Sequence, residues 1–321
     1  MPHLMRFDEG LALALFLAAV VAIYVAATLA LFRLAKHSLK RPARSGAVAL
    51  SRVDWVALLL AAAGILCFLY GYFVEPYWLE VTRVRIESPK VASGSRAVRI
   101  VQLSDLHCER QARLEDKLPE VVAREHPDLI VFTGDAINCP QGLAVFKRCA
   151  TRLSAIAPTF AVEGNHDRRQ FRALNIFDQT GVRELNGQAI SIEVAGAKIC
   201  LLGASVDEEW RLQHILNSLP TDAFNIFIYH FPAAVFDIGS HPVDLLCAGH
   251  THGGQVRLPL YGALITRSKT GKRFEAGLYR FGKTWLYVNR GIGMEGGLAP
   301  RVRFLSRPEV TVIELAPPAK A

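Results

Sequence analysis

Two long apolar runs open the chain. Leu11–Phe32, LALALFLAAVVAIYVAATLALF, carries no charge, and Val53–Val74, VDWVALLLAAAGILCFLYGYFV, carries only Asp54 near its start. Each is long enough to cross a bilayer as a helix. Tyr70, Tyr72, Tyr77 and Trp78 close the second run as an interfacial aromatic belt would. Two uninterrupted runs of this length argue against buried core helices. The length of the first, and Asp8 and Glu9 beside the single Arg6 ahead of it, argue against a cleaved signal peptide. The pattern predicts a transmembrane hairpin over residues 1–78.

After it, residues 79–97 have mixed charge and contain SGS, which suits a linker or a leading strand. From Val98 a different rhythm begins, in which short apolar runs each stop at a polar cluster. VRIVQL ends at SDLH, DLIVF at TGD, TFAV at EGNHD, FNIFIY at HFP and VDLLCA at GHTH, while KICLL ends at GAS. Arg113–Glu125 and Leu143–Ile156 have helical composition between the early runs, and TWLYVN and EVTVIEL look purely β. This alternation predicts an α/β layered fold with its polar residues at strand ends, where open sheets keep their chemistry. The final APPAKA reads as a tail.

The formal charge of +8 suggests nucleic acid until it is located. Arg33, Lys36, Lys40, Arg41, Arg44 and Arg52 lie between the two apolar runs with no acid among them and supply +6 of it. That is the positive-inside signature, so most of the charge concerns topology and not a nucleic-acid partner. Neither residues 1–10 nor Glu75–Lys90 competes in charge, so the rule expects both the N-terminus and the domain after the hairpin on the outer, periplasmic face of the cell membrane. Residues 257–309 hold eleven Lys/Arg against three Glu, either a solvated basic face or a surface for anionic substrate or lipid headgroups. The six cysteines form no CxxC, and Cys67 lies inside an apolar run, so no disulfide framework is implied.

The chemistry is concentrated in the polar clusters. Five of the ten histidines, His107, His166, His230, His250 and His252, fall in them, with Asp105, Asp135, Asn165 and Asp167. Any one cluster has a structural explanation as a helix cap or an Asx-turn. Five in succession, each just past an apolar run, point to metal ligation. In GHTHGGQV, residues 249–256, two imidazoles at i and i+2 can converge on one point while glycines let the backbone pass close. A lone structural zinc would more often be closed by cysteines.

Asp105-Leu-His107, Gly134-Asp135, Gly164-Asn-His-Asp167, His230 and Gly249-His-Thr-His252, in this order, resemble the calcineurin-like metallophosphoesterases. The resemblance covers about Val98 to Leu315. The stretches GHTHGGQVRLP, NRGIG and RPEVTVIEL are similar to the membrane-anchored bacterial branch. It implies two stacked mixed β-sheets flanked by helices over residues 98–316, with residues 317–321 as a tail. It also implies two divalent metal ions: Asp105, His107 and His252 on the first, Asn165, His230 and His250 on the second, and Asp135 bridging. Mn²⁺ comes foremost, followed by Fe or Zn²⁺. His166 is the clustered histidine not needed as a ligand. Beside Asn165 it suits general-acid help to the leaving oxygen, with Asp167 orienting its imidazole. Gly253 and Gly254 are expected to keep side chains out of the substrate's way. One departure stands out, since many members follow GD with a hydrophobic pair and a further Asp, whereas this chain reads GDAIN.

The functional expectation is a membrane-anchored phosphodiesterase or pyrophosphatase acting on an anionic phosphorylated lipid or lipid-linked substrate. Residues 257–273 mix apolar and basic side chains as an interfacial loop would, although ordinary core packing suits those apolar residues as well. A UDP-2,3-diacylglucosamine hydrolase becomes the better reading if the domain faces the cytosol. Two rival readings are a phosphoprotein phosphatase and a non-catalytic membrane scaffold. A relic scaffold should have lost ligands, and here each expected one is present.

Overall fold

A computed structural model describes residues 6–39, 50–92, 94–207, 209–296 and 300–318. Lys40, Arg41 and Arg44 of the basic connection lie outside the described residues, as does most of the C-terminal tail.

The two apolar runs form helices α1 (Phe7–Leu39) and α2 (Arg52–Phe73), both long and apolar enough to cross a membrane. Small residues let them pack closely: Ala27, Ala57 and Ala61 are buried between them. The Tyr24 hydroxyl donates to the carbonyl of Ala61 over 3.3 Å. Their remaining faces are apolar and exposed, Leu15, Val21, Leu29, Leu59, Leu66 and Phe73 among them. Asp54, the one charge in the second run, completes a capping box with Ser51 at the start of α2 and pairs with Arg33 of α1.

The remainder is built on two six-stranded mixed sheets. The first has the order β1 (Glu80–Glu87), β14 (Glu309–Ala316), β2 (Val98–Leu103), β3 (Leu129–Phe132), β4 (Thr159–Ala161), β5 (Arg183–Glu184). Its pairs are parallel except β14 with β2. The second has the order β12 (Gly277–Phe281), β13 (Thr284–Val288), β9 (Leu245–Ala248), β8 (Phe224–Ile228), β7 (Ala197–Gly203), β6 (Gln188–Val194). Only its outermost pairs are antiparallel. A two-residue pair, β10 (Arg257–Leu258) with β11 (Gly262–Ala263), stands apart. The segment between hairpin and first ligand cluster is thus a leading strand: β1 pairs with β14 along eight residues.

The layers follow from side-chain alternation along the strands. In β3, Leu129 and Val131 face the second sheet, and Ile130 and Phe132 face outward. In β9, Leu245 and Cys247 face the first sheet, and Leu246 and Ala248 face outward. Helices α3 (Leu118–Arg124) and α4 (Leu143–Ser154) cover the outer face of the first sheet. Helix α5 (Glu209–Asn217) covers that of the second. Because both faces of the central strands are buried, they read as unbroken apolar runs. The helix expected from Arg113 begins only at Leu118, with Pro119 in its first turn. Ahead of it, the buried carboxylate of Glu115 turns back to accept from the backbone N–H groups of Arg113 and Leu114.

Candidate metal centre

The parallel strands β2, β3, β4, β8 and β9 release their polar clusters at one edge of the sandwich. Backbone bonds lace the first two together. Asp105 N–H donates to Gly134 O at 2.9 Å, His107 N–H to Asp135 O at 3.0 Å, and Cys108 N–H to Ala136 O at 2.9 Å. The GHTH turn, from the other sheet, closes against them because Gly249 has no side chain: a Cβ there would overlap the Ser104 hydroxyl and the Asp105 carboxylate. The His250 N–H donates to that carboxylate at 3.0 Å.

Among the described residues, three groups of potential donor atoms each gather within 4.8 Å: Asp105, His107 and His252; Asp135, His230 and His250; and His107, Asp135 and Glu295. Asn165 joins the second, its Oδ1 3.1 Å from His230 Nε2. Asp135 lies between them, with Oδ2 3.3 Å from His230 Nε2 and 3.7 Å from His107 Nε2. Asp105, His107, Asp135, His250 and His252 all have positive φ, between 44° and 72°. For residues other than glycine this conformation costs about 1–3 kcal/mol each, so the surrounding lattice of bonds must impose it. Such strain gathered at one point marks a site and not a set of ordinary turns.

The far nitrogen of three imidazoles is already engaged, which turns the other inward. His230 Nδ1 bonds the Thr133 carbonyl at 2.8 Å, His250 Nε2 the Arg267 carbonyl at 3.1 Å, and His107 Nδ1 the Asn138 Oδ1 at 2.7 Å. Asn138 in turn donates to the Met294 carbonyl at 2.9 Å. The departure at GDAIN therefore has a place in the site: Asn138 orients a histidine, and sequence spacing alone did not reveal it.

Burial sets the protonation of the cluster. It lowers His107 to about 4 and His250 to about 3. It also carries His252 well below the usual imidazole range, with His107 adding to the effect. Burial also works downward on His230, but the adjacent Asp135 carboxylate outweighs it and raises this imidazole to about 9. Burial raises Asp105 to about 6, while Asp135 is held well below the carboxylate range by His230 against its own burial. Three of the four imidazoles are therefore neutral at pH 7, the form in which an imidazole binds a cation. The donor set, imidazole with carboxylate and no thiol, fits a pair of divalent ions.

The expected pairing of Asp167 with His166 is replaced by other contacts. Both oxygens of Asp167 are spent on backbone N–H groups, from Asp135 at 2.8 Å, Ala136 at 2.9 Å and Gly164 at 3.0 Å. Asp167 therefore fixes the two ligand-bearing turns and does not orient His166. Adjacent residues on a helical turn do not face each other. The carboxylate on His166 Nε2 is that of Glu295. Burial opposes protonation of His166, but this bond leaves its pKa raised, and the same contact lowers that of Glu295. Glu295 also binds Arg267 at 3.1 Å. Sequence reading missed Glu295; its only signal was one acid inside the glycine-rich GIGMEGG. Gly253 and Gly254 serve packing, not substrate clearance: a Cβ would strike Ser306 and Arg290 at the first and Ala263 at the second.

The calcineurin-like phosphoesterase pattern matches residues 98–254. The chain is 34% identical over 264 residues to an uncharacterized metallophosphoesterase, YkuE, of Bacillus subtilis (strain 168), spanning 77% of this chain and 89% of that protein. It belongs to the calcineurin-like phosphoesterases. This phosphoesterase is also 33% identical over 261 residues to the phosphodiesterase YaeI of Escherichia coli (strain K12), covering 77% of this chain and 92% of the other. With the UDP-2,3-diacylglucosamine pyrophosphatase LpxG of Chlamydia muridarum (strain MoPn / Nigg) it shares 26% identity over 314 residues, 79% of this chain and 94% of that one. It is a hydrolase of phosphoester bonds, and its clustered donors support a binuclear divalent-metal centre.

Proposed function

We propose a membrane-anchored, binuclear phosphodiesterase or pyrophosphatase that acts on lipid or lipid-linked phosphate at the bilayer surface. One observation carries this reading. Both free ends of the apolar hairpin rest on the loops that frame the donor groups. At the start of α1, Arg6 donates to the Lys269 carbonyl at 3.3 Å. Near the end of α2, Gly71 accepts from the Arg303 N–H at 2.9 Å. A hairpin that spans a bilayer brings the site to the headgroup layer.

The surface there suits an anionic interface. Among the described residues Leu260 is the most exposed large apolar side chain, at 110%, with Tyr261 beside it and Lys272 stacked 3.3 Å over the Tyr261 ring. Arg267 and Lys269 add positive charge to the same loop, and Arg6 joins it at the Lys269 carbonyl. The connection between the helices, with Arg33, Lys36 and Arg52 at its margins, favours the cytoplasm, which supports the reading of a catalytic domain on the outer, periplasmic side.

Asp105, His107 and His252 are assigned to one ion, Asn165, His230 and His250 to the other, and Asp135 to both. A divalent pair, Mn²⁺ foremost, supplies activation of water and neutralisation of the phosphoryl oxygens. Hydrolysis adds water to phosphorus and breaks one P–O bond, and the leaving oxygen takes up a proton. His166 would supply that proton from Nε2, where the contact with Glu295 favours the protonated form. Arg267 balances Glu295 and stands ready for substrate anion.

The name of the LpxG relative favours a second reading, a nucleotide-diphospho-lipid pyrophosphatase, if the domain faces the cytosol. The purified full chain in detergent, supplied with Mn²⁺, tests the proposal. It should hydrolyse bis(p-nitrophenyl) phosphate and a lipid-borne diester or pyrophosphate. Inertness toward diester and pyrophosphate alike would rule the proposal out.

A further inference from the structure

Two buried glutamates connect the hairpin to the GHTH turn. Glu9, in the first turn of α1, is 2% exposed. Its Oε1 accepts from the backbone N–H of Thr266 at 3.0 Å and from its hydroxyl at 2.6 Å. The next residue, Arg267, has φ 51° and offers its carbonyl to His250 Nε2. Arg6 grips the same segment at Lys269, so residues 266–269 are held by the start of α1 at two points.

Glu75, just beyond α2, is wholly buried. Its carboxylate accepts from the backbone N–H groups of Leu305, at 2.8 Å, and Ser306. The Ser306 hydroxyl then donates to the His252 carbonyl at 2.8 Å. Burying a carboxylate is costly unless it makes strong bonds. Each of these two spends its bonds on the loop that holds one GHTH histidine. Those bonds come from backbone N–H groups and a hydroxyl, and the Glu75 carboxylate also meets the Tyr70 hydroxyl and the charge of Arg303.

We infer that Glu9 and Glu75 are positioning residues: the anchor fixes His250 through Glu9 and His252 through Glu75. Both histidines of the turn have strained backbone angles, so they need support from outside it. The hairpin provides that support from both ends. The anchor is then part of the binding site and not only a tether. This inference rests on the two donor groups being the metal sites described above.

The arrangement predicts selectivity, which general loss of stability would not give. Mn²⁺ is titrated into the metal-free full chain in detergent micelles, with the ions bound followed by electron paramagnetic resonance. His250→Ala and His252→Ala mark which binding step belongs to which histidine. Glu9→Ala should weaken the His250 step about tenfold or more and leave the other step in place, as loss of a ligand's outer support does. Glu75→Ala should do the reverse. Glu9→Gln retains an acceptor oxygen for Thr266 and should restore most of the affinity. Thr266→Val and Ser306→Ala each remove one hydroxyl and carry the same test should the glutamate variants fail to fold. Equal weakening of both steps, or of neither, would overturn the inference while leaving the hydrolase proposal intact. A wild-type chain that binds no ion pair would overturn both.

Discussion

The Nε2 atoms of His107 and His252 face each other across 3.2 Å. His107 is lowered to about 4 by burial and His252 well below its usual value, so neither is protonated at pH 7. Asn138 takes the Nδ1 proton of His107, so His107 Nε2 offers a lone pair, and a cation held between the two rings would replace the hydrogen bond they share. Binding that favours only the folded state stabilises it. Saturating Mn²⁺ at about 100 times its dissociation constant should therefore add roughly 2.7 kcal/mol per site. Chelation should lower the thermal midpoint by several degrees, read by calorimetry in detergent.

His230 gives the pH dependence of that binding. Its pKa in the folded, metal-free chain is raised from 6.5 to about 9, so below pH 9 it carries a proton that an ion must displace. Affinity should rise with pH from 7 to about 9 and then level. Near pH 8, binding should release about one proton, since His107 and His250 are already neutral. The same shift means that His230 stabilises the metal-free fold fully below pH 6.5 and loses this contribution as pH climbs through 9. Calorimetric titration in buffers of different ionisation enthalpy counts the protons; uptake instead of release would contradict the assignment.

His166→Ala should keep its ions and lose roughly a hundredfold or more in turnover, most with poor leaving groups. Glu295→Gln removes the contact that raises His166. A general acid works only while protonated, so the alkaline limb of the pH–rate profile should move to lower pH in this variant. An unmoved limb would separate the two residues.

Asp167→Asn should act on stability, not on proton transfer. Three backbone N–H groups depend on the Asp167 carboxylate, and an amide leaves at least one facing another donor. The expected loss is about 1–3 kcal/mol for each buried group left unpaired. Chemical unfolding measures it, and a pH–rate profile displaced like that of Glu295→Gln would instead put Asp167 in the proton path.

The strand-end clusters were legible because metal chemistry restricts residue type and because strands buried on both faces advertise their ends. What stayed hidden were contacts made across the chain. Glu9 and Glu75 look like charges that end an apolar run, and only folding brings them to Thr266 and Ser306. Glu295 follows no strand, and Asn138 reads as a missing acid until His107 Nδ1 is seen against it. Asp167 next to His166 invited a local pairing that the helical turn forbids, because its carboxylate points back to the GD turn. Strand β6 alternates half-buried and exposed positions and lacks the apolar run that marked its neighbours.

Both proposed ion sites depend on Asp135, and Asp135→Asn tests its bridging role. Ions bound per chain and hydrolysis of bis(p-nitrophenyl) phosphate are measured on the same full-length preparation with Mn²⁺ in excess. The expected result is a folded variant with a disrupted ion pair and hydrolysis abolished, against two ions and turnover in the wild type. Near-wild-type turnover by this variant would contradict it.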